Sequence, residues 1–284
     1  MGIVDNLLYQ YRTLFDDTDR ISRERSASEI LSLYSQCSKS WTLATNSEWT
    51  CRMYLAAKMI LNATVLINGL QFVTDLGMRI ANPYLEYYAV LCSMRAVVFT
   101  LPTQKWSDGS LMEVPHSKAI NVSFDWLAKI NRNRSSSLKK ITLQLRAQRE
   151  LISYRVPASG DENLGLRYDL IALLTVLVEL AQFNSELLEK SVSRNAKADA
   201  FAVDPKHIHQ LSNPEIQGYS FYDREDAYRL DYIRRKLPRP YNLASLMTEG
   251  QVEDFFGAWE GKENNSECFK ISGPLDWQVI FDIP

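Results

Sequence analysis

The stretch "TNSEWTCRMYLAAKMILNATVLINGLQFVTDLG", Thr45 to Gly77, constrains the fold more than any other part of the chain. Trp49, Met53, Ala56, Ile60, Ala63 and Ile67 recur three or four residues apart. That is the period of one helix face, and a strand cannot carry it because its side chains alternate between two faces. A helix of this length spans roughly 50 Å. Other elements must run alongside to cover it, and Gly77 supplies its stop. A second long helix is expected from about Leu164 to Ser193. Its "LIALLTVLV" segment (Leu170–Val178) is bounded by Asp169 and Glu179, far short of the ~20 apolar residues a membrane span needs. It reads as a buried core helix, and no membrane partner is expected.

The rest of the first two hundred residues follows the same period. Ile3, Leu7, Tyr11 and Leu14 predict a helix over residues 1–16. "SASEILSLYSQC" predicts another that starts at a Ser26–Glu29 capping box. Asn82-Pro83 opens "PYLEYYAVLCSMRAVVFTL", which Pro102 ends, and its spacing would bury Tyr84, Tyr88 and Leu91 together. Further helices are expected over Ser117–Ile130 and Ser137–Val156, with "PASGDEN" as the break that follows. No strand-like alternation of comparable length precedes residue 200. The prediction is an all-α bundle over residues 1–200 and an irregular extension over 201–284. In that extension, prolines punctuate short segments. "DREDAYRLDYIRRKL" is an ion-paired helix, "QVEDFFGAW" forms another, and "LDWQVIFDIP" ends the chain as a short strand or arm.

Composition narrows the function classes. At 284 residues and 46% hydrophobic, the chain has enough apolar mass for a packed core. A net charge of −2 gives no global attraction to polyanions, so any such attraction must be local. Cys37, Cys51, Cys92 and Cys268 form no C-x-x-C pair, which predicts free thiols and a cytoplasmic location. The N-terminus lacks the basic start of a signal peptide. No phosphate-cradling glycine loop appears, and no cofactor is expected. His207 and His209 with Asp204 invite a metal reading. No fourth ligand stands at a recognisable spacing, so no metal site is assigned.

One local feature stands out. Residues 129–155 carry Lys129, Arg132, Arg134, Lys139, Lys140, Arg146, Arg149 and Arg155 against a single acid, Glu150. Such a segment can hold phosphates, or it can be a solvated face balanced by Asp161, Glu162 and Asp169. The nucleic-acid candidates are Lys129, Arg132, Arg134, Lys139, Lys140 and Arg146. Arg149 falls on the apolar face with Leu138, Ile141, Leu145 and Ile152. There it must pair with a buried acid or face a subunit interface.

Several of these stretches resemble HEPN domains (higher eukaryotes and prokaryotes nucleotide-binding). "YYAVLCSMRAVVF" is similar to the family's second core helix, with Tyr87, Tyr88, Arg95 and Ala96 at the matching positions. "PHSKAINVSFDWL" resembles its His-Lys-containing entry into a third helix. "LQLRAQRELISYR" resembles the helix that carries its ribonuclease motif, and the likeness covers roughly residues 45–193. The resemblance implies a dimer, often part of a prokaryotic defence or toxin–antitoxin system. Active members have an arginine, then four to six residues, then a histidine. Here Arg149 has Tyr154 at that position, and His116 lies a whole helix upstream, so no histidine falls within reach of an arginine in that stretch.

Three readings follow. The first is a subunit that binds RNA, a nucleotide or a partner protein without efficient catalysis. The second is a metal-independent endoribonuclease using Arg149, Arg146 and Tyr154. The third is a scaffold that docks a partner through its C-terminal extension. The two long helices carry more apolar surface than a thin bundle covers, which also predicts a homodimer or a heteromer.

Overall fold

The computed structural model describes residues 2–160, 168–259 and 278–281. The chain is all-α with an irregular C-terminal part. Six helices form the main body: α1 (Arg20–Ser38), α2 (Leu43–Asp75), α3 (Asn82–Thr100), α4 (His116–Leu127), α5 (Arg132–Arg155) and α6 (Leu170–Asn195). Shorter elements follow: α7 (Pro205–Ser212), a two-stranded hairpin of β1 (Glu215–Ile216) and β2 (Tyr219–Ser220), α8 (Arg224–Lys236), α9 (Leu243–Leu246) and α10 (Glu249–Trp259). The hairpin turns through Gln217 and Gly218, both at positive φ, the geometry that suits a two-residue connection.

The α2 face read from the sequence is the buried one. Trp49, Met53, Ala56, Ile60, Ala63 and Ile67 all lie in the core. Thr42 caps the helix by accepting the Thr45 N–H. Gly77, at φ +70°, closes it, and the Met78 N–H reaches back to the Val73 carbonyl. α2 pairs along its length with α3, and α6 packs on α3 and α1. By length and composition α2 and α6 could each cross a membrane. Of their most apolar windows, 56% and 72% are buried inside the fold. Residues of α9 and α10, among them Leu243, Leu246, Val252 and Phe256, belong to the same apolar cluster as the bundle. The apolar surplus of the long helices is therefore covered largely by the chain itself.

Polar groups tie the layers together. The Trp126 indole N–H donates to Asn184, whose amide donates to Thr100, and the Tyr34 hydroxyl donates to the Thr100 carbonyl. This buried chain of bonds links α4, α6, α3 and α1. Arg52, 1% exposed, donates to the carbonyls of Phe99, Leu101 and Gln104 at the end of α3 and pairs with Glu48 at 3.0 Å. Its guanidinium lies 3.6 Å over the Trp49 ring.

Three expectations are corrected by the fold. Among the described residues of 1–16, only Val4–Asn6 form a helical turn, and Tyr11 sits at φ +45°. Carboxylates take up the backbone donors that a helix would have used. Glu24 accepts from Ile3 and Val4, Glu186 from Leu8, and Glu179 from Thr13 and Leu14. α1 starts at Arg20 under an Asp19 cap rather than at Ser26, whose hydroxyl instead donates to the Lys129 carbonyl. α5 starts at Arg132 under an Asn131 cap rather than at Ser137. α6 is described from Leu170; the expected start near Leu164, Cys268 and most of "LDWQVIFDIP" lie outside the described residues.

Candidate functional site

Helices α3, α4 and α5 pack pairwise against one another, and the chemistry-bearing side chains gather where they meet. α3 presents Tyr87 and Tyr88 in succession, so the two rings leave the helix about 100° apart. Tyr87 points inward and is fully buried, while Tyr88 is 39% exposed at the rim. The sequence periodicity assigned these roles the other way round. Tyr84 is half-buried, so the inward face is turned by one residue from the one expected.

The polar partner of Tyr87 is His116, the first residue of α4. The Tyr87 hydroxyl and His116 Nδ1 are 3.0 Å apart. The His116 ring lies 5.7 Å from the Tyr87 ring and 6.2 Å, edge-on, from the Tyr88 ring. From α5 the Arg149 guanidinium sits 5.3 Å over Tyr87 and 5.9 Å from Tyr88. Arg149 is thus neither paired with a buried acid nor bare. Its side chain is 14% exposed, its nearest carboxylate oxygen on Glu150 is 3.9 Å away, and its Nε is buried without a hydrogen-bond partner. The tyrosine pair is what makes that burial tolerable, by presenting π faces to the cation. Arg146, one turn earlier, pairs with Glu150 at 2.9 Å. Arg95 lies two turns after Tyr88 on α3, and its Nε is likewise buried and unpartnered.

The electrostatics follow from this gathering. Burial first, then the fields of Arg95, Arg149 and Arg146, hold the His116 pKa below its ordinary 6.5. Burial raises the Tyr87 pKa, against the pull of Arg146 and Arg149, so Tyr87 stays a phenol. A fully buried O–H needs an acceptor, and Nδ1 is the partner in reach. With Tyr87 as the donor to Nδ1, the neutral ring carries its proton on Nε2. Protonating Nδ1 would strand the Tyr87 proton, which opposes the imidazolium further. The site offers donors: three guanidiniums and an imidazole N–H, with Glu150 as the carboxylate set against them. That is an anion-holding arrangement.

A titration checks it. The neutral His116 ring is the form the fold favours. Its contribution to stability is therefore present above pH ~6.5 and is lost as pH falls through the lowered native value. Solvent at the part-exposed ring screens the effect, so the readout is the titration itself. The His116 ring protons should titrate below 6.5, and Arg149→Gln should move the midpoint upward. A midpoint at or above 6.5 in the wild type would remove the arginines from the site.

The sequence-derived candidates divide. Tyr154 is 76% exposed and joins none of these contacts. The expectation that no histidine reaches the α5 arginines is corrected: α4 folds back against α5 and brings His116 to them. Arg132, Lys139 and Arg146 recur at seven-residue spacing, so they form one stripe along α5, drifting by about 20° per step. Lys139 meets Asp125 of α4 at 3.6 Å, which places the stripe on the α4 side. Lys140 is exposed on the opposite side of α5, about 180° from Arg149. Lys129 pairs with Glu29 of α1, and Arg134 bonds the Thr13 carbonyl, so both are turned toward the N-terminal part of the chain. Of the acids proposed to balance the run, Asp161 and Glu162 lie outside the described residues, and Asp169 caps α6.

The other motif separates in the same way. His207 and His209 stand on α7, where alternate residues do not share a face, and the Asp204 carboxylate accepts the Lys206 N–H. Among the described residues, no group of three or more His, Cys, Asp or Glu side chains could hold a metal ion. Compared with protein-family models, with curated proteins and with solved structures, the chain matches none.

Proposed function

We propose that the chain is a HEPN-like subunit that binds single-stranded RNA through the α3–α4–α5 junction without cleaving it efficiently. The observation that carries this reading is the convergence of Arg95, Arg146 and Arg149 on the Tyr87–His116 pair, with Nε of two of them buried and unpartnered. The fields of the three guanidiniums add at this junction, which favours a phosphate at its mouth. The Arg132–Lys139–Arg146 stripe extends the basic surface along α5, and the part-exposed Tyr88 offers a ring for base stacking at its end. The HEPN resemblance contributes the choice of RNA and the association with defence or toxin–antitoxin systems.

A second reading, metal-independent cleavage, draws on one observation: a histidine does stand beside the arginines. The Nε2–H tautomer argues against it, because that nitrogen has no lone pair with which to take a 2′-hydroxyl proton.

The test is fluorescence anisotropy with a labelled single-stranded RNA at several salt concentrations. Five contacts from Arg95, Arg132, Lys139, Arg146 and Arg149 give a slope near −3.5 in log affinity against log salt, about a hundredfold loss between 50 and 200 mM. Lys139→Glu should weaken binding, and Lys140→Glu should leave it nearly unchanged. Salt-independent affinity, or equal effects of the two reversals, would overturn the reading.

A further inference from the structure

A cavity of about 460 Å³ opens between α2, α8 and α10, and none of these helices contributes to the arginine cluster. Its apolar wall is built from Met59 and Leu61 of α2 and from Phe255 and Trp259 of α10. Trp259 is 63% exposed, a large ring left facing the opening. Its charged lining is Asp223, Glu225 and Asp226 of α8 and Asp254 of α10, with Lys58 of α2 and Arg229 of α8.

The pairing within the cavity is uneven. Asp226 is saturated: it accepts the Tyr54 hydroxyl at 2.7 Å, and Lys58 pairs with its other oxygen. Asp254 is taken by Arg229. Asp223 uses one oxygen to cap α8 by accepting the Asp226 N–H, and its other oxygen is 3.8 Å from the already engaged Lys58. Glu225 is exposed and has no partner among the described residues. Two carboxylates therefore remain without a cation of their own. The start of α8 offsets them by about half a charge, which leaves the charged lining negative.

We propose that this cavity binds a small organic cation, an ammonium or guanidinium carried on an apolar body. The charge would sit against Glu225 and Asp223, and the body would lie on Phe255 and Trp259. Concave apolar walls with a few convergent polar groups are the general form of a ligand site. An aromatic face beside uncompensated carboxylates selects for positive charge. The saturated Tyr54–Asp226–Lys58 group holds α8 to α2 and so fixes the shape of the site.

Three probes on one skeleton isolate the charge: 4-phenylbutylamine, 4-phenylbutanol and 4-phenylbutyrate, titrated calorimetrically into the full chain. The amine should bind more tightly than the alcohol, and the carboxylate least. Glu225→Gln should weaken the amine about threefold and leave the alcohol unchanged. Trp259→Ala should weaken both by roughly three- to tenfold. Both side chains are exposed, so the variants retain the fold. Binding of the alcohol or the carboxylate as tight as that of the amine would overturn the proposal. So would amine affinity insensitive to both substitutions, or no detectable binding at millimolar concentration.

Discussion

Arg52→Ala is expected to lower the free energy of unfolding by about 3–5 kcal/mol, the range for breaking a buried charged group away from its partners. In a chain of this size that is a fall in melting temperature of roughly 5–8 °C. Three backbone carbonyls at the end of α3 and in the turn beyond it, on Phe99, Leu101 and Gln104, would lose their donor. Glu48 would lose its ion pair and Trp49 the cation above it. The terminal carbonyls of a helix have no intrahelical partner, and the bonds to Phe99 and Leu101 are buried, so their loss is hard to make up elsewhere. Burial lowers the Arg52 pKa, yet a guanidinium stays charged throughout the working range, so the effect should be constant across neutral pH. Arg52→Lys should recover only part of the stability. An ammonium is a point donor, and it cannot address three carbonyls from one plane as the fork of an arginine does. Urea unfolding of the two variants is the measurement. A loss under ~1 kcal/mol for Arg52→Ala would mean that the carbonyls are hydrated, and it would remove Arg52 from the architecture.

Nothing in the sequence marks Arg52 for this role. It sits between apolar neighbours on α2 like any surface arginine of a helix, and its acceptors are 47 to 52 residues away. The face from Trp49 to Ile67 was legible because burial of a long helix leaves a period in the residues themselves. The failures share one cause: the deciding partner is distant in the chain. Tyr87 and Tyr88 are adjacent and hard to separate by period, and the inward one, Tyr87, meets His116, 29 residues on. The first sixteen residues carry helical spacing, but Glu179 and Glu186 of α6 capture their backbone donors. The basic segment looked uniform from Lys129 to Arg155. The fold splits it into cations turned toward Glu29 and Thr13, a stripe beside α4, and Arg149 under two rings. Three separate stretches each contain one piece of the junction: Arg95 and the tyrosines, His116, and the α5 arginines. Linear spacing could not assemble them, because the site takes its histidine from a different helix than its arginines.

That assembly sets the sharpest expectation for function. Purified protein incubated with labelled RNA in single-turnover conditions, without metal, should bind and not cleave. Cleavage at a 2′-hydroxyl needs a base to take its proton and an acid to protonate the leaving oxygen, together worth roughly 10²–10⁴-fold. Arg149, Arg146 and Arg95 stabilise charge but hold their protons. His116 has the right chemistry, but a Tyr87 hydroxyl that donates to Nδ1 across their 3.0 Å contact leaves the neutral ring's proton on Nε2. Arg149→Gln should reduce affinity by about 10- to 100-fold, the cost of losing a hydrogen bond to a charged group. Tyr154→Phe should be silent, since its hydroxyl faces solvent. His116→Gln should change affinity little at pH 7.5. It should abolish the tightening seen as pH falls below 6.5, where the bound phosphate and the protonated ring stabilise each other. Tyr87→Phe is the decisive variant. It frees Nδ1, lets the proton move there, and leaves Nε2 open as a base, so weak cleavage appearing in Tyr87→Phe alone would show that the tyrosine bond holds the site silent. Cleavage by the wild type, lost in both Arg149→Gln and His116→Gln, would instead make the junction a ribonuclease centre and overturn the binding reading.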